Sequence, residues 1–346
     1  MPTARTTHLT RRGLLSAGGA LGAGALLAAC GSSPGAGGGG QGGTGDGGAW
    51  SFTDDRGEKV TADARPRRIV AFTGTAAALH DFGLDRPLVG VFGETRREDG
   101  SPDPLAGELD VAKVEIVGNA YGEFGLERYA ALRPDLLVTH MYDPGALWYV
   151  PEESKDKILE LAPSVAITVA RVPLPEPIKR YAELAESLGA DLRATRVTDA
   201  KKRFEAAAES LRRAAKAHRG LKVMAASGAA DYFYVSNPDN NTDLMYFKEL
   251  GVDLVHPENL DAGGYFESLS WENADKYPAD LILLDSRTVA LQPEALASKP
   301  AWRALPAVRA GQVTPWDTVP RFSWAGSAPL LESLATAMGE SRKLKG

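Results

Sequence analysis

From residue 68 onward, short apolar runs alternate with stretches in which apolar positions recur every three or four residues. Residues 68–73 read as a short strand, 75–82 as a helix and 88–92 as a second strand. Residues 136–139 and 165–170 are buried strands on either side of a helix at 154–161. Strands that alternate with helical stretches predict parallel pairing through crossovers. Between 191 and 217 the period changes: Val197, Ala200, Phe204, Ala207, Leu211 and Ala214 line one face, with Lys, Arg and Glu between them. That predicts one amphipathic helix on the order of 35 Å long at 1.5 Å per residue, stopped by Gly220. The alternation then resumes, with strands at 221–227, 281–284 and 312–315 and helices at 242–250 and 325–338. The whole reads as two α/β lobes joined by a long helix.

The lobes repeat each other weakly. Phe82-Gly83-Leu84-Asp85 leads to the strand at Leu88, as Leu250-Gly251-Val252-Asp253 leads to Leu254. Glu127 precedes Asp135 by the same interval as Glu272 precedes Asp280. In both places a short helix opens with glutamate, a proline breaks it, and a buried strand follows. Equal spacing puts the two carboxylates at equivalent positions, one per lobe.

The N-terminus changes the picture of where the protein works. Arg5, Arg11 and Arg12 are the only charges before an apolar, small-residue run that ends Leu27-Ala28-Ala29-Cys30. A basic region, an apolar region and small residues before a cut make a signal peptide over 1–29. Leu-Ala-Ala-Cys resembles the bacterial lipobox, which implies lipid on Cys30, and Thr10-Arg11-Arg12-Gly13-Leu14-Leu15 is similar to a twin-arginine export signal. Cys30 is the only cysteine, so no disulfide is expected. Residues 30–50 are dominated by Gly, Ser, Ala and Pro and predict a flexible tether. The expected lobes are 51–190 and 219–346, with the connecting helix at 191–218. Cleavage removes three positive charges, so the formal net charge falls from −6 to −9. That balance argues against nucleic-acid partners. The membrane is reached through the lipid, and the protein is placed outside the cytoplasm.

The ordered motifs resemble those of the class III substrate-binding proteins of ABC transporters, which carry iron-siderophores, haem or vitamin B12. Residues 68–72 resemble the family's opening strand, 88–91 its second, 126–138 its most recognisable motif, and 302–313 its late segment. The resemblance implies an α/β fold of two Rossmann-like lobes joined by one long rigid helix, with ligand in the cleft between them. It further implies delivery to an ABC permease dimer with its ATPase, and docking of Glu127 and Glu272 onto arginines of the two permease subunits. The plainer role of each glutamate is to favour its own helix dipole.

An exported, lipid-anchored enzyme is the rival class, and its usual signatures are missing. His80, His140, His218 and His256 show no zinc-ligand spacing, no Gly-x-Ser-x-Gly elbow occurs, and no phosphate loop follows a strand. No cofactor is expected. In open α/β lobes, ligands meet the loops after the carboxyl ends of strands, and those loops are aromatic here. Tyr121, Tyr142 and Trp148 belong to the first lobe; Tyr232, Tyr234, Arg287, Trp316, Arg321, Phe322 and Trp324 to the second. A ferric siderophore suits them. Its iron is already saturated, so the protein supplies apolar surface and hydrogen-bond donors, and Tyr, Trp and Arg provide both. Two arginines among many aromatics favour a weakly charged hydroxamate chelate over a triply negative catecholate, although Arg96 and Arg97 could add charge. Cobalamin and haem remain alternatives, with Tyr142 or His140 as an axial ligand for haem. Each aromatic also fits ordinary packing, and alternation along a strand would bury about half of residues 232–234.

Overall fold

In the computed structural model, which describes residues 48–344 with the exception of Thr288, the first element is a hairpin of β1 (Trp50–Thr53) and β2 (Lys59–Ala62). The leader, Cys30 and most of the expected tether lie outside the described residues. Trp50 is buried, so the first strand takes over the last position assigned to the tether. The hairpin is fastened to the lobe behind it by two carboxylates: Asp54 accepts the backbone N–H of Ala166 (3.1 Å) and Asp55 that of Thr168 (2.8 Å).

The N-terminal lobe contains β3 (Ile69–Phe72), α1 (Thr73–Asp81), β4 (Leu88–Phe92), β5 (Glu115–Gly118), α2 (Leu126–Ala131) and β6 (Leu136–Met141). After these come α3 (Lys155–Leu161), β7 (Ser164–Thr168) and α4 (Pro175–Ser187). Its sheet has the order β5-β4-β3-β6-β7, parallel throughout. Every residue of β3 and β6 is buried, as strands covered on both faces require.

The connecting helix α5 (Thr195–Ala217) is about 34 Å long at 1.5 Å per residue. It starts later than the sequence suggested, because Asp191 accepts the backbone N–H of Arg193 and opens a turn. The C-terminal lobe follows with β8 (Lys222–Gly228), β9 (Tyr232–Ser236), α6 (Thr242–Glu249), β10 (Asp253–Leu254), β11 (Phe266–Ser270) and β12 (Leu281–Asp285). It closes with α7 (Pro293–Leu296), α8 (Pro300–Ala304), α9 (Pro306–Arg309), β13 (Val313–Trp316) and α10 (Trp324–Glu340). The sheet order is β11-β9-β8-β12-β13, with β10 beside β8. Strands β8, β10, β12 and β13 are parallel, but β9 and β11 run antiparallel to their neighbours, so this lobe does not copy the first outright.

Where the lobes do match, the repeated motif explains why. Asp135 accepts the backbone N–H groups of Arg67 and Arg68 at the entry to β3, at 2.8 and 2.9 Å. Asp280 does the same for Lys222 at the entry to β8, at 2.7 Å. Each aspartate therefore sets the register of its own strand against the one beside it, β6 on β3 and β12 on β8.

Two apolar clusters are private to the lobes, one around Phe72, Phe92 and Tyr129 and one around Phe233, Leu269 and Trp302. A third is shared. It runs from Ile69 and Leu136 through α4, the buried face of α5 (Val197, Phe204, Leu211) and α10 (Leu331, Leu334, Met338) to Val223 and Leu281. The connecting helix is thus packed along its length, with Arg203 and Glu332 forking α5 to α10 at 2.8 and 2.6 Å. Both lobes belong to one compact unit.

Candidate ligand-binding cleft

Strands β6, β8, β12 and β13 all end towards the same region, and both sheets reverse their strand order next to it, at β3/β6 and at β8/β12. That is where open α/β sheets hold ligands. A cavity of about 510 Å³ lies there, a size that suits a small organic ligand. The N-terminal lobe contributes Tyr142, Asp143 and Trp148, and the C-terminal lobe the remainder, including Ser227, Tyr234, Tyr265, Phe266, Asp285, Arg287 and Trp316.

The N-terminal wall is a packed aromatic group. Tyr142 follows β6, and its ring meets Trp148 edge-on at 4.6 Å. The loop between them folds back onto β6, with Thr139 Oγ1 donating to the carbonyl of Trp148 at 2.8 Å. Tyr149 holds a left-handed backbone (φ 63°), a costly conformation for an aromatic residue. It is kept there by Phe72, whose ring lies 5.0 Å away, and by the hydrogen bond its hydroxyl donates to Glu94. The Tyr142 hydroxyl is buried and meets no protein partner among the described residues; desolvation raises its pKa and keeps it protonated, a donor.

Arg171 ties the lobes beside the cavity. Its Nη1 donates to the carbonyl of Tyr142 (2.7 Å) and to Tyr265 Oη (3.1 Å), its Nη2 to the carbonyl of Gly263 (2.9 Å), and Asp143 lies 3.0 Å away. Tyr265 Oη itself donates to the Tyr142 carbonyl at 2.9 Å. Along the same seam the backbone of Arg171 and Leu174 bonds to Asn240 and Thr242.

Arg287 is the cation of the C-terminal wall. Its Nε and Nη2 both reach the carboxylate of Asp285, at 3.0 and 2.7 Å, and its backbone N–H adds a third bond at 3.0 Å. Ser227 Oγ donates to the same carboxylate at 3.0 Å. Asp285 is fully buried, so the guanidinium is aimed rather than mobile. Among the described residues no acceptor engages its Nη1. The ionisable lining, tyrosines aside, comprises Asp143, Asp285 and Arg287, and both aspartates are already paired with arginine. The cavity is aromatic and nearly neutral. Trp316 completes it, with the indole N–H donated to Asp243 Oδ2 at 2.5 Å.

The expected ligand residues divide into two groups. Tyr142, Trp148, Tyr234, Arg287 and Trp316 line the cavity together. Tyr121 is 73% exposed and packs on Trp148 and Tyr149 outside it, and Tyr232 is 47% exposed on the far side of Tyr234. Arg321, Phe322 and Trp324 were expected in the wall and are found in the lobe-to-lobe seam. Phe322 is buried, its ring stacked near Tyr181 (6.2 Å) and edge-on to His140 (5.8 Å). Trp324 meets Phe82 at 5.3 Å and lies under Lys201. Arg321 lies against Gly107 and Gly326, its Nε 3.7 Å from Asp81. A Cβ on Gly107, which has φ 54°, would fall 1.7 Å from Arg321 Nη1, so that approach needs glycine. The physical reason is the start of α10: Ser323 caps it and also bonds Asp81 of α1 at 2.5 Å, which draws the whole segment across the seam.

His140 is a core residue. It is buried among Phe72, Tyr142 and Phe322, desolvation pushes its pKa down to about 3, and it does not line the cavity. Among the described residues no three His, Cys, Asp or Glu side chains converge as a metal site would need, and no helix is long and apolar enough to cross a membrane. Glu127 and Glu272 are both exposed, in the first turn of α2 and of a short 3-10 turn at Trp271–Asn273. The sequence reading missed Tyr265, Phe266 and Asp285. Asp285 could have been found, since it ends a buried strand; Tyr265 precedes and Phe266 opens the edge strand β11, for which no strand was expected.

Two α/β lobes welded by a packed helix, with an aromatic cavity at their facing strand ends, define a two-lobed binding protein rather than an enzyme. The chain belongs to the periplasmic binding protein family, which matches residues 69–320, and it has the fold of the class III substrate-binding proteins of ABC transporters. Such proteins work outside the cytoplasm. Among solved structures it is similar to DesE, a ferric-siderophore receptor protein from Streptomyces coelicolor: 51% identity, TM-score 0.82, covering 86% of this chain and 100% of that one. It shares the fold of the siderophore periplasmic binding protein from the fuscachelin gene cluster of Thermobifida fusca (21% identity, TM-score 0.58, 80% and 97% covered). It also shares that of Staphylococcus aureus SirA, solved with staphyloferrin B (20%, 0.59, 84% and 96%). No curated protein matches the sequence.

Proposed function

We propose that this protein is the ferric-siderophore-binding lipoprotein of an ABC importer, and that its ligand is a hydroxamate-type chelate. The observation that carries the hydroxamate reading is the charge of the cavity: one arginine, held by Asp285, against an aromatic wall. A triply negative catecholate would meet no basic cluster there, and would have to lose its hydration without compensation. A neutral or weakly charged chelate needs apolar surface and a few donors, and Tyr142, Trp148, Tyr234, Arg287 and Trp316 offer both. Similarity to the DesE receptor supports the wider siderophore reading. Haem has less support: His140 is walled off in the core, and burial keeps the Tyr142 hydroxyl protonated, whereas an axial tyrosine binds iron as the phenolate.

Delivery follows from the same reading. Glu127 and Glu272, one per lobe and exposed, dock the loaded protein on the two permease subunits, whose ATPase drives import. Cys30 carries the lipid that holds the protein at the outer face of the cell membrane, after export by a twin-arginine-like leader. A Cys30→Ala protein should leave the membrane fraction; one that matures and stays membrane-bound contradicts the anchor.

The test of the ligand is tryptophan quenching of the purified mature protein by ferric hydroxamates, ferric catecholates, haem and cobalamin. A ferric hydroxamate should bind with submicromolar affinity, more favourable than about −8 kcal/mol, and be recovered chemically unchanged. Tighter binding of catecholate, haem or cobalamin would overturn the ligand assignment, and a cleaved chelate would restore the enzyme class.

A further inference from the structure

Trp316 borders two cavities. One is the ligand cavity; the other, of about 320 Å³, is lined by Pro104, Ser286, Asp317, Arg321 and the first turns of α10. Trp316 is 4% exposed and packs in the core that the lobes share, and it stands between the two cavities. Two sets of directional bonds hold it in addition to that packing. The Trp316 carbonyl accepts from the backbone N–H of Ser286 (2.9 Å) and from Ser286 Oγ (3.0 Å), which holds the main chain. The indole N–H is held by Asp243 Oδ2 alone, at 2.5 Å.

Asp243 lies in the first turn of α6, is 2% exposed and does not line the ligand cavity. No cation pairs with it among the described residues. A buried carboxylate without a counter-ion is costly, and among the described residues the one side chain that bonds this one is the Trp316 indole. We propose that Asp243 is a positioning residue for ligand binding: it fixes the Trp316 indole as the partition that sets the shape of the ligand cavity. The proposal rests on the reading of that cavity as the siderophore site.

The ionisable groups facing Asp243 are Asp317, which follows β13 and is itself raised by burial to about 6 against the pull of Arg321 and Arg287, and Tyr142, after the end of β6, on which Arg287 also acts. Burial pushes the Asp243 carboxyl up, and the Trp316 bond opposes this, leaving it at about 7. The indole therefore loses its charged acceptor within an accessible pH range, and this supplies a signal that needs no ligand.

Two measurements test the proposal. In the free protein, tryptophan emission should titrate near pH 7, and the transition should vanish in both Asp243→Asn and Trp316→Phe. With a ferric hydroxamate, Asp243→Ala should weaken binding about tenfold, while Asp243→Asn, which keeps an acceptor, should stay within about threefold of wild type. In a Trp316→Phe background, Asp243→Ala should have no further effect. The proposal falls if emission does not titrate, or if Asp243→Ala weakens binding equally with Phe at 316, which would mark a general packing role. If wild type binds no chelate while emission still titrates and the Asn variant does not, the siderophore reading fails but the hold of Asp243 on the partition stands.

Discussion

Arg287 and Trp316 face the cavity from two neighbouring strand ends, and each is aimed by a buried aspartate, Asp285 for the guanidinium and Asp243 for the indole. The two carboxylates differ in what holds them. Asp285 has an arginine and a serine; Asp243 has an indole and no cation. The consequence for stability can be signed. Because the Asp243 carboxyl is raised from the ordinary 3.8 to about 7, the folded protein keeps a proton there that the unfolded chain has released. Stability should therefore fall as pH rises between those values, and the full penalty applies above pH 7. Asp243→Asn removes the penalty. Its melting temperature should exceed that of wild type at pH 8 and match it near pH 4, read by thermal melts across that range. Single residues were legible in the sequence at the ends of parallel strands, as with Tyr142, which follows the buried β6, and Trp316, which ends β13. Residues 321–324 were not. They too lie beyond a strand end, and whether such a segment lines the cavity or crosses the seam is decided by the Asp81–Ser323 bond between residues far apart in the chain.

At the scale of elements, periodicity located α5 and α10, since both bury one face against a shared core. It could not show that they pack on each other. It gave β9 only as an alternation at residues 232–234 and missed β11, the edge strand beside it; in both, buried and open residues alternate over only five positions. That gap hid Tyr265 and Phe266, which enter the cavity beside β9 rather than from the end of a parallel strand. The repeated glutamate motif was legible, and its geometry separates two jobs that the spacing joined. Asp135 and Asp280 are structural, holding the entry of β3 and β8. Glu127 and Glu272 have no ion-pair partner among the described residues, and a surface carboxylate at a helix start adds only a few tenths of a kcal/mol. Replacing both with Ala should leave the melting temperature and chelate affinity nearly unchanged while uptake into cells collapses, each single change giving a partial loss. Normal uptake by the double variant would reduce them to helix-end residues; lost chelate binding would mean the cleft is misplaced.

Across the whole molecule, the shared core and the Arg171 seam decide how far the lobes can move. Helix α5 is packed along its length, α10 lies against it, and the chain at 169–174 is bonded to residues 240–242 of the other lobe. Wide opening would break these contacts together, so loading should proceed by a small twist. Small-angle scattering of the free and chelate-bound protein should give nearly equal radii of gyration; a large drop on binding would contradict a welded pair of lobes. The claim on which the rest depends is that the chelate occupies the cavity between Tyr142, Tyr234, Arg287 and Trp316. Filling that space tests it most directly. Ala229 lines the cavity, and its neighbour Ala230 is exposed and does not. Titrated with a ferric hydroxamate, wild type and Ala230→Trp should bind alike, while Ala229→Trp, melting at the wild-type temperature, should lose binding by about a hundredfold or more, roughly 2.7 kcal/mol. Wild-type affinity in a folded Ala229→Trp protein would place the ligand somewhere else.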